Sequence, residues 1–437
     1  MNLLTDNIEH VFRRYMVTAF GSALITSIYS LVDMVCVGQF EGPAGSAALS
    51  CIAPIWSIFV SLGMLLGIGG SVRMSFCRGE GRKTDGDRYF TVSVLVSLFL
   101  SAVITALALR FEEEIIRLFG ADDSLIGVAM AYTHWLLPAI PIFLIGQVLI
   151  AFIRNDGAPG VSTAAILTGG LINIVLDVWF VFGLEMGAGG AGLATVLGQT
   201  VAFLILCSYF FRRRCALRLV HPIRFFRSAL ESIQAGFSPF LVDISYGISV
   251  AMFNNQIMRY GSAVELAVYG AAANIAITFQ SLFYGVGQAL QPIASINFGA
   301  KQLSRVQQVF RLAVRTAVCM SLLFFAVAEL IPDVLLRIYM DVDASVLSVG
   351  PAIVRRHAAA FLLTGTNVVL SYYLQSVLQN GKSLLLSLSR GFLFCALFLY
   401  ALPAIFGLDA IWWTMPLTEA CTLLLAWFLL RKRHVFL

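Results

Sequence analysis

The amino-acid sequence predicts an all-α integral membrane protein, with twelve transmembrane helices arranged as two six-helix parallel repeats around a central cavity. Three observations predict this fold. Hydrophobic types make up 59% of the 437 residues and charged types only 12%, about half the roughly 25% that covers an ordinary soluble domain. Twelve apolar runs, each near the roughly 20 residues needed to cross a ~30 Å hydrocarbon core, alternate with polar breaks. The chain also matches itself at a shift of about 220 residues.

The first six runs extend from about Tyr15 to Val37, Leu49 to Gly70, Thr91 to Leu109, Ala131 to Ile153, Val161 to Phe182 and Ala191 to Phe211. The second six extend from about Ala235 to Ile257, Val264 to Gly287, Ala313 to Ile331, Ala358 to Leu378, Leu384 to Phe406 and Ala410 to Leu430. The first run is too long for the core of a cleavable signal and carries Asp33, so it is expected to be the first span. The eight cysteines form no CxxC pair and lie mostly in or beside apolar segments, as small core residues do.

Charge sets the direction of the chain. With the N-terminus placed inside and sides alternating, 23 of the 29 Lys and Arg fall on the inner side, and only Arg110, Arg117, Arg259, Arg337, Arg355 and Arg356 fall outside. This is the bias expected of cytoplasmic loops, and an omitted span would scramble it. Both termini are therefore expected in the cytoplasm of a multi-pass protein of the plasma (inner) membrane. The net charge of +5 belongs to these loops, so no nucleic-acid partner is expected.

At the 220-residue shift Ala53 pairs with Ala273, Phe59 with Phe279, Gly67 with Gly287, Ser75 with Ser295 and Gly79 with Gly299. Near a shift of 224, Phe182-Gly-Leu-Glu185 returns as Phe406-Gly-Leu-Asp409. The expected organisation is a lobe at 1–211, a basic cytoplasmic linker at 212–234 and a second lobe at 235–437. A shift of six spans leaves the halves in the same orientation, the arrangement that alternating access uses.

Ionisable groups inside a span cost several kcal/mol (about 2.5–3.5 by insertion scales) unless they meet a partner or a water-filled cavity. Asp33, Asp177 and Asp243 therefore stand out, with Glu419 beside them. Asp33 lies near the outer end of the first span, Asp177 in the outer third of the fifth and Thr195 at the outer start of the sixth, all at similar depth. Asn173 precedes Asp177 by four residues and shares its helix face. Two carboxylates in a dry cavity resist double ionisation and can hold H⁺, and the same oxygens suit Na⁺. The position paired with Thr195 is Glu419, which is either a second polar contact or a side chain reaching toward the interface.

Other chemistries lack residues. Gly187, Gly189 and Gly192 have GxGxxG spacing, but no strand precedes them and they fall in the turn between the fifth and sixth spans. GxxxxGK[ST] and HExxH are absent, and so is a nucleophile elbow. Neither an enzyme nor ATP-driven transport is expected, and no cofactor beyond a coupling ion.

The stretch GVGQALQPIASINFGAK from Gly285 to Lys301 resembles a motif of the multidrug and toxic compound extrusion (MATE) family, in its DinF-like and MepA-like branch. Matching segments are Tyr29 through Asp33 to Gly38, Arg154-Asn-Asp-Gly-Ala-Pro159, Asn173 to Asp177, Gly192-Leu-Ala-Thr195, Tyr373-Leu-Gln375 and Pro416-Leu-Thr-Glu419. The resemblance covers nearly the whole chain. It implies an antiporter coupled to H⁺ or Na⁺ that exports lipophilic, often cationic, drugs, with Asp33, Asn173, Asp177 and Thr195 binding the cation. Asp243 stands where the family usually has a glutamate, and Asp243, Gln288, Tyr373, Gln375 and Glu419 make up the expected substrate pathway. Relatives often carry a proline in the first helix; here the segment reads Val17-Thr-Ala-Phe-Gly21, so bending at such a proline is not expected.

The expected partners are small organic substrates and the lipid bilayer, with the protein a monomer. Two other functions fit parts of the pattern: a lipid-linked saccharide flippase of the same superfamily, which would commonly have two more helices and a basic cavity, and a passive channel or receptor.

Overall fold

The computed structural model describes residues 2–213, 215–340 and 342–431, without the side chains of 43, 243, 246 and 263. Among the described residues twelve helices are long and apolar enough to cross a membrane: α1 Ile8–Glu41, α2 Ala44–Gly79, α3 Lys83–Arg110, α4 Ile126–Asn155, α5 Pro159–Gly183, α6 Gly187–Phe211, α7 Phe225–Tyr260, α8 Val264–Gly299, α9 Leu303–Leu330, α10 Ala344–Ser376, α11 Asn380–Phe406 and α12 Leu408–Arg431. Among the described residues there is no strand. The fold is that of an all-α integral membrane protein built from two six-helix repeats.

Most helices overrun the apolar runs that announce them. At ~1.5 Å per residue a helix of about 36 residues reaches ~54 Å, well past a ~30 Å hydrocarbon core. The polar ends stay helical where water and headgroups begin. At α7, which starts at Phe225 rather than Ala235, Arg227 and Glu231 form an i,i+4 ion pair at 3.0 Å, which continues the helix through polar sequence. Two short helices, Glu112–Leu118 and Pro332–Tyr339, occupy equivalent connections, α3 to α4 and α9 to α10. The first has three acidic residues in its first turn and the second has Asp333, and each has an arginine in its last turn, matching the helix dipole; Ile116 is buried in one and Leu335 and Leu336 in the other.

The chain divides into two compact units, and the division falls inside α7, after Phe240. The first contains most of α1, all of α2 to α6 and the first half of α7. Glycines bring its backbones together. A Cβ on Gly63 would lie 2.7 Å from Gln147 Cβ, and one on Gly67 would lie 3.0 Å from the Gln147 carbonyl, so α2 and α4 cross there. Closer still, a Cβ on Gly69 would meet the Ser232 carbonyl at 1.9 Å, and one on Gly236 the Leu65 carbonyl at 1.9 Å, which seats the start of α7 on α2. At the same end Arg78 pairs with Asp87 at 2.8 Å and with Asp156. Asp156 also accepts from the Tyr209 hydroxyl at 2.6 Å and the Ala216 N–H at 3.0 Å, pinning the chain after α6 to the bundle.

The second unit contains the start of α1, Asn7–Met16, the second half of α7, α8 as far as Phe298, and α9 to α12. Its interior holds an ion pair: Arg390 Nε lies 2.7 Å from Glu419 Oε1, and the Glu419 side chain is 0% exposed. Asn367 donates to Glu419 Oε2 at 2.6 Å and to the Glu419 carbonyl at 2.9 Å. Arg390, which falls within the expected run Leu384 to Phe406, is thus a buried partner of Glu419, and its place among the inner-side charges is corrected. A π-helical turn, Ser389–Leu393, carries it, and the Gly391 carbonyl accepts from Ser249 of α7 at 2.9 Å.

Candidate cation-coupling site

The local register of α1, α4, α5 and α6 builds the site. α1 and α5 run parallel: Thr163 donates to the carbonyl of Thr18 at 2.9 Å, and a Cβ on Gly170 would lie 2.8 Å from Ile25. Each of these pairs is 145 residues apart in sequence; Asp33 and Asp177, 144 apart, continue the register toward the far end of both helices. α5 and α6 run antiparallel and touch through glycine, since a Cβ on Gly169 would lie 2.7 Å from the Gly198 carbonyl and one on Gly198 would lie 2.6 Å from the Gly169 carbonyl. One turn further on, this crossing sets Asn173 beside Thr195. The third contact is between α4 and α6, where a Cβ on Gly192 would meet the Tyr132 carbonyl at 2.4 Å. Of the glycines with dinucleotide-loop spacing, Gly187 and Gly192 are thus close-packing residues at the start of α6. Glu41 ties the end of α1 to the same place, accepting from the Ala188 N–H at 3.4 Å.

These crossings bring together all four residues expected to bind the cation. Asn173 Nδ2 donates to Asp177 Oδ1 at 3.3 Å and to Thr195 Oγ1 at 3.3 Å. Thr195 Oγ1 lies 3.4 Å from the Tyr132 hydroxyl, which donates to Asp33 Oδ2 at 2.8 Å. A tyrosine hydroxyl has one proton, so with that proton on Asp33, Thr195 is the donor to Tyr132. The chain is continuous from Asp177 to Asp33, and every side-chain proton in it has a place. Asp177 is 0%, Asn173 3% and Thr195 5% exposed, while Asp33 is half-buried.

Three acceptors are left over. Asp33 Oδ1, Asn173 Oδ1 and Asp177 Oδ2 are buried with no hydrogen-bond partner, although a buried polar atom left bare costs about 1–3 kcal/mol. A cluster whose donors are spent and whose spare atoms are all oxygen suits a proton or a hard cation. Among the described residues no three His, Cys, Asp or Glu gather into a metal centre.

The residues expected to line a substrate pathway lie in the second unit. Glu419 does not reach toward an interface; it is held by Arg390 and Asn367. Tyr373 is buried with its ring 4.3 Å from that of Phe310, Gln375 is buried and Gln288 is half-buried. Asp243 lies on α7, with its side chain outside the described residues. Sequence reasoning missed Tyr132, Asn367 and the buried setting of Arg390. The signal for Tyr132 was Gly192, three residues before Thr195, which marks a helix crossing but not its partner.

The MatE family profile matches residues 19–179 and again 238–401. The chain belongs to the MatE family. The two stretches begin at 19 and 238, a separation of 219 residues, which agrees with the repeat found by comparing the sequence with itself. This MatE protein is 25% identical over 423 residues to the multidrug export protein MepA of Staphylococcus saprophyticus, covering 94% of this chain and 91% of that protein. Its fold is similar to that of a multidrug resistance MATE family transporter of the MOP superfamily in the outward-facing conformation, with a TM-score of 0.91 and 22% identity over 99% of this chain and 97% of the other. A MOP superfamily transporter from Pyrococcus furiosus, described as having a binding pocket of reverse polarity that suggests a different function, matches with the same TM-score, identity and coverage. The chain is a multi-pass membrane transporter of small organic compounds and not an enzyme.

Proposed function

We propose that this transporter is an antiporter driven by H⁺ or Na⁺, with Asp33, Asn173, Asp177 and Thr195 as the seat of the cation and Tyr132 as the link between them. The observation that carries this reading is the set of three buried, unpartnered oxygens on Asp33, Asn173 and Asp177, drawn from two helices in parallel register. Coupling requires the cation to bind two conformations unequally. A chain of hydrogen bonds spanning α1, α4, α5 and α6 supplies that inequality, because any relative shift of these helices breaks it and changes what the carboxylates face.

The cargo is a lipophilic organic compound, often cationic, exported from the cytoplasm. Support comes from the export role of the MepA relative and from two parallel repeats, which suit alternating access. The halves are read as 1–211 and 235–437, joined by the basic stretch 212–234. The protein is read as a monomer of the plasma membrane, and the distribution of Lys and Arg supports both termini inside. Asp243, Gln288, Tyr373, Gln375 and Glu419 line or support the substrate path.

The test is dye efflux from proteoliposomes with proton and sodium gradients imposed separately. One gradient drives efflux by the wild-type protein, and Asp33→Asn and Asp177→Asn each abolish it while eluting as folded protein. Full ion-driven efflux in both variants overturns the assignment.

A further inference from the structure

The Glu419 carboxylate has no oxygen to spare, unlike the carboxylates of the first unit. Its Oε1 lies 2.7 Å from Arg390 Nε and its Oε2 accepts from Asn367 at 2.6 Å, whereas Asp33 Oδ1 and Asp177 Oδ2 are bare. The Arg390 guanidinium also hydrogen-bonds to the Tyr284 side chain. Oxygens from α8 and α12 therefore hold it, the ligand type that a hard cation takes. Arg390 and Glu419 are both buried.

The sequence repeat relates this pair to the first-half cluster. Glu419 occupies the position that pairs with Thr195 at a shift of 224 residues. Asn367, Arg390 and Glu419 lie on α10, α11 and α12, the helices that correspond to α4, α5 and α6, which carry Tyr132, Asn173 with Asp177, and Thr195. On α11 the positions paired with Asn173 and Asp177 are Leu397 and Ala401, and Arg390 stands seven residues before Leu397, about two turns along the helix. The acid of α5 has no successor on α11; a base meets the acid that stands where the first half has Thr195. An arginine keeps its proton inside proteins and is fixed to the chain, so this charge can neither leave nor be neutralised during a cycle.

We propose that Arg390 is a tethered cation filling the second half's counterpart of the coupling site, so that free ions enter the first half alone. The inference rests on the reading of Asp33, Asn173, Asp177 and Thr195 as the cation seat, and it makes Arg390 the residue that sets how many ions the protein takes up. Once the guanidinium is removed, Glu419 Oε1 loses its partner and joins Asn367 Oδ1, which is already buried without one. Two such oxygens are acceptors for the same ion that the first half binds.

Ion uptake by the purified protein in nanodiscs tests this, with protons and sodium followed separately. In the Asp33→Asn, Asp177→Asn background uptake should fall at least tenfold, and adding Arg390→Ala should restore saturable uptake of one ion per protein. Glu419→Gln in that triple variant should remove it again. A folded triple variant that gains nothing overturns the proposal, and so does a gain that persists with Glu419→Gln. If Arg390→Ala does not fold, the Asp33→Asn, Asp177→Asn variant decides alone: a tenfold loss supports the proposal, and saturable uptake at about half the wild-type level overturns it, because the second half would then take a free ion beside Arg390. Uptake at the full wild-type level would remove the first-half seat itself and the proposal with it, so the two failures read differently.

Discussion

Asn173 occupies the middle of the chain of contacts, spending both amide protons on Asp177 and Thr195 and leaving its own oxygen bare. Tyr132 closes the circuit to Asp33, so removing its hydroxyl should separate the two carboxylates without disturbing the fold. Tyr132→Phe is expected to lower ion-driven efflux about tenfold, equivalent to the roughly 1.5 kcal/mol of one hydrogen bond to a charged group, with expression and melting temperature unchanged. In the second unit the stakes concern stability. Arg390→Leu leaves the Glu419 charge unpaired in the interior and should cost about 3–5 kcal/mol. Arg390→Leu with Glu419→Gln should recover most of that loss, as read from thermal unfolding in detergent. The carboxylates were legible in the sequence because a charge in an apolar run is rare and an i,i+4 partner is visible without a structure. Tyr132 was not, since a tyrosine near the end of a span also serves as an interfacial anchor. The apolar run from Leu384 to Phe406 contains Arg390, yet nothing in it shows what buries the side chain, because Glu419 is 29 residues away in sequence.

Helix crossings through glycine bring the site residues within reach of one another. Gly169 and Gly198 each lack room for a methyl group against the other's carbonyl. Gly198→Val should therefore push α5 from α6, separate Asn173 from Thr195 and cost about 1–3 kcal/mol, seen as a lower melting temperature together with lost ion-driven efflux. A substitution at Gly146, where a Cβ meets nothing within 4 Å, should change neither and serves as the control. All twelve long helices could be counted from hydropathy, because lipid imposes a minimum apolar length. Their ends could not, because a helix does not stop where hydrocarbon does; α7 gains a polar first turn in this way. The short helices Glu112–Leu118 and Pro332–Tyr339 are too brief to show a period. The π-helical turns, Trp179–Gly183 just beyond Asp177 and Ser389–Leu393 around Arg390, have no composition that announces them. Such turns are frequent at functional sites, and both adjoin buried charges here.

Across the whole molecule, duplication is the property the sequence expressed most fully. The same family profile matches twice, and the two short helices repeat at equivalent connections. Moving Arg390 into the interior leaves 22 inner-side Lys and Arg against 6 outer, so the inferred direction of the chain stands unchanged. In a cysteine-free variant, Arg213→Cys should react with an impermeant maleimide only from the cytoplasmic side and Asp122→Cys only from outside; labelling from the opposite sides would invert the topology. The division of chemistry between the halves was only partly legible. At the equivalent positions Asn173 and Asp177 become Leu397 and Ala401, which removes the cation cluster from the second half, but the ion pair that stands there instead depends on side chains from three helices. Cation binding by the first unit underlies the coupling, and direct uptake by purified protein in nanodiscs measures it, with protons followed by indicator dye and sodium by radiotracer. The wild-type protein should take up one of the two saturably, and the Asp33→Asn, Asp177→Asn double variant should take up neither; uptake of either ion by the double variant at the wild-type level would contradict the account.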